Sequence, residues 1–164
     1  MLLAASESAV IALTVRARAA AAAGRLDEAR NGLAGLGDAT STSPSVARRM
    51  QFLAARAELA KAEGRFDDAR RDLAQAVAVA RSSQRKVDEL YLRFDQAALE
   101  HAAGDAAKSR ALAVAVSAEA AALEPANVLL RIRLAHARKA AGDVNGAVAE
   151  LASTVKTVPS SPDA

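Results

Sequence analysis

The chain contains no cysteine and no tryptophan, and only four of its 164 residues are aromatic: Phe52, Phe66, Tyr91 and Phe94. The lack of cysteine excludes disulfides, thiolate metal sites and cysteine nucleophiles. The shortage of aromatics, in a chain that is 52% hydrophobic with alanine as the main contributor, points to space filled by small side chains on closely approaching helices. Alanine suits that role because it is the best helix former and loses no side-chain entropy on folding. No apolar run approaches the roughly 20 residues of a membrane span. The opening Met1-Leu-Leu-Ala-Ala-Ser-Glu-Ser8 lacks the basic start and unbroken apolar stretch of a signal peptide, so a cytoplasmic chain is expected. No His-Glu-x-x-His, phosphate-cradling glycine loop or nucleophile motif is present, so no catalytic residue is assigned and an enzyme is not expected.

What the chain does have is internal repetition. Gly24-Arg-Leu-Asp-Glu-Ala29, Gly64-Arg-Phe-Asp-Asp-Ala69, Gly104-Asp-Ala-Ala-Lys-Ser109 and Gly142-Asp-Val-Asn-Gly-Ala147 recur at spacings of 40, 40 and 38 residues. The flanks keep register. Seven residues before each glycine stands Ala17, Ala57, Ala97 or Ala135, and nine after it stands Leu33, Leu73, Ala113 or Leu151. Positions seven apart share a helix face, so each unit reads as a helix, a glycine turn and a second helix. Glycine supplies the left-handed conformation that closes a helix at low cost. Asp27, Glu28, Asp67, Asp68 and Asp143 favour the start of the next helix through its dipole.

Eight helices are predicted, at about 5–23, 26–36, 44–63, 66–81, 84–103, 106–122, 125–141 and 144–157. Ser43 before Pro44 and the first-turn Pro125 are expected helix starts. Residues 37–44 read as the clearest loop and residues 159–164 as a frayed tail.

This pattern resembles the tetratricopeptide repeat family, most closely in the last unit, where Pro125 to Pro159 spans 34 residues with Ala135, Gly142, Ala147 and Leu151 at the small, turn and packing positions. The first three units, near 40 residues, look like the longer repeats of helical sensor segments in some bacterial transcription regulators. The family's large aromatic early in the first helix is missing, with Leu13, Leu53, Arg93 and Arg131 in its place. The resemblance implies an all-α, right-handed α-solenoid of four helix-turn-helix repeats in one domain over residues 1–158, with units at about 5–37, 44–82, 84–123 and 125–158. It also implies a protein-protein interaction scaffold that binds a peptide or partner protein in a concave groove made by the first helices.

Transferring that groove by register selects Gln51, Lys61, Tyr91, Phe94, His101, His136 and Lys139 as partner-binding candidates. Tyr91 and Phe94 suit an aromatic hot spot with a polar surround, and packing between neighbouring first helices accounts for them equally well. His101 and His136, without cysteine or a carboxylate at ligand spacing, fall short of a metal site, and no cofactor is implied. Net charge is +3, with both signs mixed along the chain. The basic segment Arg131-Ile-Arg-Leu-Ala-His-Ala-Arg-Lys139 scatters its cations round the helix, which disfavours nucleic acid as a partner. An alternative expectation is a self-associating structural or sensor segment of a larger protein, such as a bacterial transcription regulator.

Overall fold

A computed structural model describes residues 7–37, 40, 43–123, 128–140 and 144–157. Among these the chain is all-helical, with eight helices: α1 Glu7–Ala22, α2 Leu26–Ala34, α3 Val46–Ala62, α4 Phe66–Ser82, α5 Lys86–Ala102, α6 Ala106–Leu123, α7 Val128–Ala140 and α8 Val144–Thr157. The eight expected helices correspond to these one for one. The chain divides into two compact units, Met1–Leu92 and Arg93–Ala164, the division falling within α5.

The turns explain the helix ends. Gly24, Gly64 and Gly104 have φ of +76°, +76° and +87°. After each, the next residue's N–H reaches back to the sixth-residue carbonyl: Arg25 to Ala20 at 2.9 Å, Arg65 to Ala60 at 2.8 Å, and Asp105 to Glu100 at 2.9 Å. This double closure satisfies carbonyls that a bare helix end leaves open. Between α4 and α5 the same geometry appears without glycine. Gln84 sits at φ +57°, and Arg85 N–H reaches Ala80 O at 2.9 Å. The glycine repeat therefore marks only part of a turn set that also includes Gln84. Gly142, Asp143, Pro125 and the 159–164 tail lie outside the described residues.

Two helix ends differ from the sequence expectation. The start of α3 is capped by Ser45 rather than Ser43; Ser45 Oγ accepts from Arg48 N–H at 3.4 Å, while Ser43 Oγ accepts from Ser45 N–H at 3.3 Å. The later serine wins because its extended backbone aims the hydroxyl along the first turn. Helix α2 stops at Ala34, two residues early, where Gly35 and the left-handed Gly37 (φ +65°) follow within three positions. Glycines lose too much entropy to extend the helix.

In the first unit α1 packs against α2 and α3, α3 against α4, and α2 also touches α3. A core cluster joins Ala17, Ala20 and Ala21 of α1, Ala29 and Leu33 of α2, and Phe52, Ala55 and Leu59 of α3. The small residues set the spacing. A Cβ placed on Gly32 of α2 would lie 3.3 Å from the Ala17 Cβ of α1, so these backbones meet about as closely as they can. In the second unit α7 packs against both α6 and α8.

An arginine on each first helix reaches an acid on the helix after it. Arg16 Nη2 meets Glu28 Oε1 at 3.2 Å, Arg56 meets Asp72, Arg93 Nη1 meets Glu119 Oε1 at 2.8 Å, and Arg131 Nε meets Glu150 Oε1 at 2.7 Å. The side chains of Arg93 and Arg131 are largely covered, and each spans its hairpin by an ion pair.

Candidate functional site

The expected groove residues lie on three first helices. On α3, Gln51 and Lys61 are half-buried, and Lys61 Nζ lies 2.8 Å from Glu58 Oε1 one turn earlier, so its charge is balanced locally. On α5, Tyr91 is half-buried, whereas Phe94 is only 4% exposed. Phe94 thus does not stand out as a presented anchor. Its ring contributes to the interior, as expected where a chain with so few large side chains has apolar area to hide. His101 near the end of α5, and His136 and Lys139 on α7, are exposed.

In the second unit one ion pair links α7 to α5. Arg133 Nη1 of α7 approaches Asp95 Oδ1 of α5 at 3.5 Å. His101 and Lys139 hold the same register position, three residues before their respective turn glycines, on these two helices, and His136 lies one turn earlier on α7. Of the seven expected groove residues, His101, His136 and Lys139 are the exposed ones. Gln51, Lys61 and Tyr91 belong to the first unit.

The basic segment on α7 is largely spent on internal contacts. Besides Glu150, Arg131 donates through Nη2 to Ser153 Oγ at 2.7 Å; Arg133 faces Asp95; and Arg138 Nη1 donates to Gly146 O at 3.2 Å. Lys139 alone of its four fixed cations is both exposed and engaged in no contact among the described residues. A cation already held by a carboxylate has little field left for a phosphate backbone.

Two features of the first unit have no precursor in the sequence reading. One is a cavity of about 440 Å³ between α1 and α2, lined by Leu13, Arg16, Ala17, Glu28, Asn31 and Gly32. The other, of about 350 Å³, lies between α2 and α3, with Leu33, Phe52 and Leu59 as apolar floor and Arg30 and Arg56 at its edge. Both border α2.

An ion-pair network crosses the first unit. Arg30 of α2 contacts Asp27 Oδ1 at 2.6 Å and Glu63 Oε1 at 2.5 Å, Arg65 contacts Glu63 and Asp68, and Arg71 contacts Asp68. The hydrogen bond from Arg65, then that from Arg30, holds the Glu63 carboxyl below the usual range against the opposing effect of burial. Among the described residues no three His, Asp or Glu side chains converge as a metal site, and no helix is long and apolar enough to cross a membrane.

Comparison with protein-family models, curated proteins and solved structures gave no match.

Proposed function

We propose that this chain is a protein-protein interaction scaffold: a right-handed α-solenoid of four tetratricopeptide-like hairpins that holds a protein or peptide segment on the face formed by its first helices. The observation that carries this reading is the order of packing in the first unit, where α1 contacts its own hairpin partner α2 and also the next first helix α3, which in turn contacts α4. First helices laid side by side, with second helices outside them, are the elementary step of a solenoid. The Arg133–Asp95 approach between α7 and α5 is the same kind of neighbour relation in the second unit.

On this reading the contact surface is polar. His101, His136 and Lys139 receive an acidic or carboxylate-bearing segment. The test is affinity capture with the wild-type chain and with a His101→Ala, His136→Ala, Lys139→Ala variant of unchanged helicity, followed by titration of the captured segment. Loss of affinity of at least tenfold in the variant, about 1.4 kcal/mol, is expected. Equal affinity would remove these residues from the binding surface.

A second reading, a self-associating structural segment, is favoured by one observation. Val144, Val148 and Leu151 form an exposed apolar stripe along α8.

A further inference from the structure

The first unit holds two hairpins, α1–α2 and α3–α4, that correspond residue by residue. Gly24 and Gly64 both turn at φ +76°, and α1 packs on α2 as α3 packs on α4. Counting from these glycines pairs Arg16 with Arg56, Ala17 with Ala57, Arg25 with Arg65 and Glu28 with Asp68. At the next two positions the hairpins part. Asn31 stands where α4 has Arg71, and Gly32 where α4 has the buried Asp72.

In the second hairpin the charges sort into two sets. Asp68 pairs with Arg65 and Arg71, and Arg56 grips Asp72 through Nε and Nη2. In the first hairpin Glu28 serves two arginines, Arg25 Nη1 at 3.5 Å and Arg16 Nη2 at 3.2 Å. Both distances are long for a charge-assisted hydrogen bond. The Arg16 side chain is 73% exposed, against 36% for Arg56, and it meets no other acid among the described residues. Arg16 thus lacks the carboxylate that its counterpart Arg56 has on the facing helix.

The position without a carboxylate borders a cavity. Gly32, Leu13 and Ala17 form the apolar lining of the space of about 440 Å³ between α1 and α2, and Arg16, Glu28 and Asn31 its polar lining. Small-molecule sites commonly have this size, about 300 to 1,000 Å³, and this make-up of apolar walls with a few polar groups. Leu13 is 42% exposed, so apolar surface is open to a ligand beside the arginine.

We propose that this cavity binds a small aliphatic monocarboxylate, whose carboxylate takes at Arg16 the place that Asp72 takes at Arg56 and whose chain lies against Leu13 and Ala17. On binding, Arg16 turns from Glu28 to the ligand and Glu28 stays with Arg25, as Asp68 stays with Arg65. The guanidinium suits the task because it offers two parallel N–H groups to one carboxylate, and the aliphatic chain leaves water for the apolar lining. A bound monocarboxylate balances the two arginines with two acids. A dicarboxylate or a phosphate would set its second charge against Glu28. The site belongs to the first unit, whereas His101, His136 and Lys139 belong to the second, so it stands or falls apart from the surface proposed above.

The test is an NMR titration of the isotope-labelled full chain with hexanoate, following backbone amide shifts, with hexanamide as the uncharged probe of the same shape. Hexanoate should give saturable shifts centred on Leu13, Ala17 and Gly32, and hexanamide should bind at least tenfold more weakly. Arg16→Gln, a change at an exposed side chain that leaves the fold intact, should weaken hexanoate by a similar factor. Gly32→Asp supplies the carboxylate from the chain itself and should abolish binding while raising the melting temperature. The new side chain has to ease past Ala17, whose Cβ would lie 3.3 Å from its own, as Asp72 is accommodated in the hairpin that carries Ala57. Absence of saturable shifts at these residues overturns the proposal, as does equal affinity for hexanamide or for the Arg16→Gln variant, since the cation would then play no part. A capped glutamyl tripeptide that binds more tightly than hexanoate overturns the free acid as the ligand and gives the cavity to an acidic side chain.

Discussion

Arg30, in the middle of α2, donates to Glu63, just past the end of α3, so the second helix of one hairpin is tied to the turn of the next across 33 positions of sequence. Glu63 also accepts from Arg65 in the same turn. This carboxylate is therefore a junction between two hairpins, and its charge state bears on how they hold together.

The sign of the pH effect follows. Glu63 is held below the usual carboxylate range by Arg65 and Arg30. For Glu89, burial acts to raise the pKa, but the hydrogen bond from Arg81 and the charges of Lys86 and Arg81 outweigh it and the net shift is downward. A carboxyl depressed in the folded state contributes stability that is fully present above its unfolded pKa, about 4.3 for Glu, and is lost as pH falls through the lower folded value. Thermal stability should be level above roughly pH 5 and fall below about pH 4.3. A Glu63→Gln, Glu89→Gln variant should be less stable at neutral pH and show a shallower acid limb; an unchanged limb would assign the acid sensitivity to other groups.

The Arg56–Asp72 pair is a different case, because Asp72 is buried while Arg56 is 36% exposed and lies with its guanidinium 5.7 Å from the Phe52 ring centroid. Two hydrogen bonds join them, Nε to Oδ2 at 2.7 Å and Nη2 to Oδ1 at 2.5 Å. Arg56→Met leaves a buried carboxylate without its main partner and should cost about 2 to 3 kcal/mol, at the low end for a buried pair since the arginine is partly solvated. Arg56→Met combined with Asp72→Leu should recover most of that loss. Urea denaturation of the two variants decides it, and equal midpoints would mean that Asp72 finds other solvation.

Gln84 bears the backbone cost that glycine avoids in the sister turns. Gln84→Gly should stabilise the chain by about 0.5 to 1 kcal/mol, the left-handed penalty less the entropy glycine adds to the unfolded state. Gly64→Ala should destabilise, and purely through the backbone, because no atom lies within 4 Å of a Cβ built there. Opposite shifts in melting temperature are the expected pair of results.

Ser109 of α6 is 0% exposed and its hydroxyl has no hydrogen-bond partner among the described residues. A buried hydroxyl without a partner forfeits its hydration. The register counterparts Ala29, Ala69 and Ala147 are also buried. Ser109→Ala should therefore raise stability by about 1 kcal/mol, read as a higher denaturant midpoint at unchanged slope.

Local chemistry made the helices and most of their turns readable from sequence. An alanine-rich seven-residue register and a glycine able to take positive φ act within a few residues, and Gly24, Gly64 and Gly104 turned where the spacing placed them. Competition between neighbouring candidates was less legible. Ser45 displaced Ser43 as the α3 cap through backbone direction, and Gln84 took a glycine's conformation because the geometry of the α4–α5 turn imposed it. The candidate site was least legible. Register alone left Phe94 open between a presented anchor and packing between helices; burial depends on what packs against each face, and the ring lies inside while His101, His136 and Lys139 are exposed. Pairings such as Arg56 with Asp72 and Arg30 with Glu63 lie beyond the reach of spacing, since separations of 16 and 33 positions carry no record of which charges meet. The sequence by itself determined the helices and the turns that join them; the tertiary structure decided which charges paired and which apolar faces were covered, because both depend on contacts between helices that no local rule contains.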